Sequence, residues 1–96
     1  MSPLKRKKLN KIRLKLDKLD NSLIKLIKQR TNLVNQVLKL KEKKKEIIDN
    51  KRIKMILKNI RKKSLANKVD PKITNRIWKN MIWSYIDYEK RNFKKK

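Results

Sequence analysis

Two cations stand where the surrounding pattern asks for hydrocarbon. From Leu9 the apolar residues fall into two heptad columns, Leu9, Leu16, Leu23, Arg30, Val37 and Ile12, Leu19, Leu26, Leu33, Leu40, and Arg30 alone interrupts them. Lys41 follows eleven residues after Arg30, three turns plus about 20° on a helix, with Val34 and Val37 between them on that face. An inward charge without a partner costs several kcal/mol, so each cation calls for an anion. A neighbouring carboxylate, or a lysine that snorkels to solvent, is the purely structural answer. The chain holds only 8 Asp+Glu, and Asp17, Asp20, Asp49 and Asp70 read as exposed or capping residues. With so few acids left, an anionic ligand is the better candidate.

One acid has a different setting. The column Trp78, Ile82, Tyr85, Glu89 steps by four, three and four, so Glu89 prolongs an apolar stripe. It is either a fringe acid paired with a lysine or a carboxyl at the mouth of a cationic cavity. In the cavity it would accept from Lys41 or, protonated, act as a donor. Arg52 can join from above. Arg13 stands one position off the seam, about 25 Å along the axis from Arg30 of the same chain, and in a crossed dimer it can reach the partner's cavity instead. Trp78, Trp83 and Tyr85 read as packing rather than as a stacking platform for bases.

Much chemistry is excluded outright. The 96 residues contain no Cys, no His and no Gly. Zinc sites of the usual kinds, thiol nucleophiles, Ser-His-Asp triads and His general bases are therefore absent, as are the glycine-rich phosphate loops. No apolar run approaches a membrane span, and the N-terminus "MSPLKRKKLN" lacks the apolar stretch of a signal peptide. A cytoplasmic protein without metal or membrane is expected. The 32 Lys+Arg give a formal charge of +24, which invites a nucleic-acid reading by counterion release. Only 7 of them are Arg, however, and base-edge readers favour the guanidinium fork. A solvated lysine face accounts for much of the excess.

The elements that must position these residues are all helical. The heptad columns predict a first helix from about Leu9 to about Lys43, roughly 50 Å long, against a radius of gyration near 13 Å for a compact chain of this size. Its seam must meet a second copy, in an antiparallel or crossed dimer. Asp49 announces a second helix as N-cap, with Ile48 and Ile53 as a staple across it and Ile53, Ile56, Leu57 and Ile60 as its apolar face. Asp70-Pro71 starts a third, whose buried face is read as Ile73, Ile77, Trp78, Met81, Ile82, Tyr85 and Ile86. One domain spans 1–96, with 1–8 and 91–96 as frayed basic ends.

The stretch "IRLKLDKLDNSLIKLIKQRTNLVNQVLKLK", followed by "DNKR" and "VDPKITNRIWKNMIWSYIDYE", resembles the all-helical, type II chorismate mutases from about Leu9 to Glu89. The resemblance implies an intertwined homodimer of three-helix protomers. It also implies an isomerase that turns the dianion chorismate into prephenate in aromatic amino acid biosynthesis, without a cofactor. By matching position, Arg13 binds a substrate carboxylate in the other protomer's site and Arg30 holds one in its own. Lys41 contacts the breaking ether oxygen, and Asp49 and Arg52 lie near the ring hydroxyl and carboxylate. Ile53 stands where many of these mutases carry a Glu for the ring hydroxyl, Tyr85 where a small hydroxyl residue is frequent, and Glu89 where members carry Gln or Glu. The Ile53 difference and the short spacing from Lys41 to Arg52 also resemble the related isochorismate-pyruvate lyases. A pericyclic step needs no nucleophile and no general base, which suits a chain without His or Cys. The rival of another class is a basic helical dimer that binds nucleic acid, which has no use for an arginine inside a heptad seam.

Overall fold

The computed structural model describes residues 1–94. It consists of α1 (Pro3–Leu40), a single 3₁₀ turn (Lys44–Ile47), α2 (Asn50–Ala66) and α3 (Pro71–Asn92), with no strand among the described residues. The predicted three-helix order holds.

Helix α1 starts earlier than the heptad columns do. Ser2 and Pro3 form a start signal that hydrophobic periodicity misses: the Lys5 N–H donates to Ser2 Oγ at 3.2 Å, the Arg6 N–H to Ser2 O at 2.9 Å, and Pro3 occupies the first turn, where no N–H is needed. Residues 3–8 are therefore helical rather than frayed. At the other end the Lys41 N–H donates to Leu38 O at 3.2 Å, a tightened last turn that stops the helix at Leu40. At the C-terminus, where the sequence predicts fraying over 91–96, Arg91 and Asn92 belong to α3 and Phe93 packs against the core, while Lys95 and Lys96 lie outside the described residues.

The chain divides into two compact units, residues 1–34 and 35–96. The first is one amphipathic stretch of α1, and its seam is bare: Ile12, Leu16, Leu19, Leu23, Leu26 and Leu33 are all exposed, Leu19 at 62 %. The second unit holds the core, formed by Leu38, Ile47, Ile82 and Ile86, with Ile53, Ile56, Leu57 and Phe93 half-buried around it. Each such buried side chain contributes roughly 2 kcal/mol by leaving water.

The caps of this unit lie where the sequence puts them. Asp49 Oδ1 accepts from the Arg52 N–H at 3.1 Å and Asp70 Oδ1 from the Lys72 N–H at 2.9 Å. The α2–α3 turn closes without glycine. The Val69 N–H reaches Ser64 O at 2.8 Å and the Lys68 N–H reaches Leu65 O at 3.2 Å, a Schellman arrangement that forces Lys68 to φ 56°. Beneath it the buried Ser64 donates to Ile60 O at 2.6 Å and shares a 2.7 Å hydrogen bond with Thr74.

The buried face of α3 is rotated from the one read in the sequence. Ile82, Ile86 and Glu89 are its buried residues, with Thr74, Trp78, Met81 and Tyr85 half-buried, whereas Ile73 and Ile77 are exposed. On a helical wheel the two isoleucines lie more than about 100° from the centre of that face. Trp83, expected to pack, is exposed as well.

Candidate active site

Glu89 sits on the last turns of α3 in line with Ile82 and Ile86, and only 6 % of it is exposed. Its Oε1 accepts from Lys41 Nζ at 2.9 Å. Lys41 is the first residue beyond α1, and 17 % of its side chain is exposed. This contact is the lysine pair of the plainer reading of Glu89, and it is equally the acceptor geometry of the cavity reading. Of the answers left open for the Lys41 charge, an internal carboxylate is the one present, although an anionic ligand is the preferred expectation from the sequence. An ammonium carries three donors, so the pair fixes the direction of Lys41 without using all its hydrogen-bonding capacity.

A second tie lies beside the first. The Tyr88 hydroxyl donates to Asn35 Oδ1 at 2.9 Å, joining α3 to the C-terminal part of α1. Tyr85 meets Tyr88 edge to face, with ring centroids 6.3 Å apart at 87°, and the Arg91 guanidinium lies 6.0 Å from the Tyr88 ring centre while bonding Asp87 at 2.9 Å. Tyr85 thus braces the helix face that carries Glu89. Sequence reasoning misses Asn35 and Tyr88, because neither breaks a periodic pattern.

Lys41 also lines an open depression of about 480 Å³ together with Glu46, Ile48, Asp49, Asn50 and Lys51. Two cations, Lys41 and Lys51, and the Asp49 cap of α2 meet there. Glu46 closes the 3₁₀ turn by accepting from the Lys43 N–H at 3.1 Å. Arg52 is exposed, and its Nη1 lies 3.9 Å from Met55 Sδ. Ile53 faces the apolar cluster, so the position where a family Glu would stand belongs to the core side of α2.

Residues 1–34 carry the other two arginines singled out above. Arg13 is exposed on α1, and Arg30 is half-buried. The second unit contains Lys41, Asp49, Arg52, Tyr85 and Glu89, of which Lys41 touches Glu89 and shares the depression with Asp49, while Arg13 and Arg30 belong to the first. Among the described residues no group of three or more carboxylates is placed to hold a metal ion, and no helix is long and apolar enough to cross a membrane.

No curated protein and no solved structure matches the chain. The family model described as Chorismate mutase type II matches residues 12–90, a span that takes in most of α1, all of α2, and α3 through Lys90. With all-helical architecture and that match over most of its length, the chain belongs to the type II chorismate mutase family.

Proposed function

We propose that the protein is a chorismate mutase acting as a homodimer, and that it rearranges chorismate to prephenate without cofactor or covalent intermediate. The observation that carries this reading is the Lys41–Glu89 pair, a half-buried ammonium oriented by a buried carboxylate at the edge of a depression that Lys51, Glu46 and Asp49 also line. The rearrangement breaks a C–O bond while a C–C bond forms, and negative charge grows on the ether oxygen. A donor already aimed at that oxygen strengthens its bond as the charge develops, and such donors are worth roughly 3–4 kcal/mol of barrier. Glu89 holds Lys41 in direction, and the two N–H bonds it leaves are open to the substrate.

The remaining task is to hold a flexible dianion in its compact diaxial form. Arg30 and the partner's Arg13 are assigned to its two carboxylates, whose planar oxygens suit the guanidinium fork. Arg52 and Asp49 are assigned to the ring end and Tyr85 to the wall. The bare seam of α1 supports the dimer: six apolar residues of one stripe lie in water in the single chain, a face that a second copy of the same stripe covers. The charge of +24 serves to draw in a dianion.

The test is direct. Purified protein is offered chorismate and isochorismate separately, and prephenate, salicylate and pyruvate are measured. Prephenate from chorismate supports the reading. Salicylate and pyruvate from isochorismate alone replace it with the lyase that the Ile53 difference suggests, and no product from either removes both.

A further inference from the structure

The outer face of α3 has a composition that neither the core nor the candidate site uses. Lys72, Arg76, Lys79, Trp83 and Lys90 follow one another at steps of four, three, four and seven residues, and all five are exposed. At about 100° per residue every one of these cations lies within about 40° of Trp83, roughly a quarter turn away from the buried Ile82–Ile86–Glu89 face. The stripe extends about 27 Å along the helix. Its one acid, Asp87, is occupied by Arg91 at 2.9 Å, so the stripe is cationic throughout.

An indole that is 54 % exposed in the middle of a row of cations needs a reason. Within its own chain it packs in no core, and it is not the edge of an apolar patch, since its neighbours along the stripe are charged. For the same reason a lipid surface is a poor occupant: an interfacial helix buries an apolar face, and here there is a single ring. A duplex is no better, because its bases are stacked on one another and offer the indole no free face. A single strand offers both things the stripe presents a use for, phosphates along its backbone and unstacked base faces, and binding of this kind requires no arginine fork.

We propose that the outer face of α3 binds single-stranded nucleic acid without sequence preference, Trp83 stacking on a base while Lys72, Arg76, Lys79 and Lys90 follow the phosphates. This is an activity separate from the candidate active site, and it stands or falls independently of it.

The experiment uses the full chain and a fluorescein-labelled fifteen-nucleotide oligothymidylate, with anisotropy read over a range of salt concentrations. Expected are binding, quenching of indole emission on saturation, and a log–log salt slope near −3 from about four phosphates neutralised on a single strand. Trp83→Ala should weaken binding by about tenfold and Trp83→Phe by much less, because a phenyl ring still stacks. Lys79→Gln with Lys90→Gln should flatten the slope by about 1.4. Helicity and thermal midpoint of each variant, at exposed positions, establish that it is folded. Binding that Trp83→Ala leaves unchanged overturns the proposal in favour of unspecific charge, as does equal competition by inorganic polyphosphate against wild type and Trp83→Ala. Preference for anionic phospholipid vesicles over the oligonucleotide, or no binding at low salt, overturns it as well.

Discussion

The Tyr88 hydroxyl donates to Asn35 Oδ1 at 2.9 Å, one residue before the carboxylate that accepts from Lys41. Two consecutive residues of α3 thus tie it to residues near and just beyond the end of α1. The first bond is neutral and the second ionic, and they act on different things.

Tyr88→Phe removes only the neutral bond and keeps the ring that meets Tyr85. A loss of about 1 kcal/mol is expected, seen as a drop of roughly 4–8 °C in thermal midpoint for a domain of this size. Turnover per folded molecule should stay within a few-fold of wild type. A variant as stable as the parent would show that the bond to Asn35 contributes nothing in solution.

Lys41→Met should be costly on two counts. It strands the buried Glu89 carboxylate, with a penalty of about 3 kcal/mol, and removes the donor assigned to the ether oxygen, for a loss of roughly 10²–10³ in kcat. Adding Glu89→Leu restores most of the stability without restoring activity. A denaturation cycle on the two single variants and the double variant, with prephenate production measured on each, separates the two effects.

Glu89→Gln keeps an oxygen acceptor for Lys41. Stability should fall by only about 1–2 kcal/mol, the difference between a charged and a neutral partner, and turnover should survive far better than in Lys41→Met. If turnover collapses equally in both, the carboxylate does more than orient the ammonium.

The proposed dimer with shared sites makes a prediction of its own. Arg13→Ala and Lys41→Ala proteins, each expected to be inactive alone, are unfolded together, refolded together and assayed. Mixed dimers contain one site with both groups intact, so partial activity should return. No recovery despite mass-spectrometric evidence of mixed dimers would place Arg13 outside the partner's site.

Lys68→Gly should stabilise the protein. A residue with a Cβ at φ 56° bears a conformational cost that glycine avoids, partly offset by glycine's freer unfolded chain. A net gain of roughly 0.5–1 kcal/mol in urea unfolding is expected, and Lys68→Val should lose more than that.

What repeats and what punctuates is legible in the residues alone. The heptad columns of α1 and the Asp49 and Asp70 caps follow from residue type and spacing, and the structure has them in place. Glu89 stands out because a charge on an apolar stripe is conspicuous. Tyr88 and Asn35 do not, because a hydrogen bond between residues 53 apart leaves no trace in a local pattern. The face of α3 is ambiguous for a related reason: Ile73 and Ile77 are as apolar as Ile82 and Ile86, and what decides between them is which side α2 and the 3₁₀ turn cover. Ser2-Pro3 has the composition of a basic tail around it, although it carries the start signal for α1.

The hydrogen bonds of the helices and their caps join residues within a turn or two of one another, whereas Lys41 and Glu89 are 48 positions apart. Local pieces of this kind assemble in microseconds to milliseconds. The ion pair has to wait until a loop holding all of α2 and most of α3 has closed, at an entropic cost that must be met before the contact returns anything. An interaction formed that late belongs to the unfolding barrier rather than to the folding one. The Lys41–Glu89 and Tyr88–Asn35 ties are thus expected to form late in folding and to part early in unfolding.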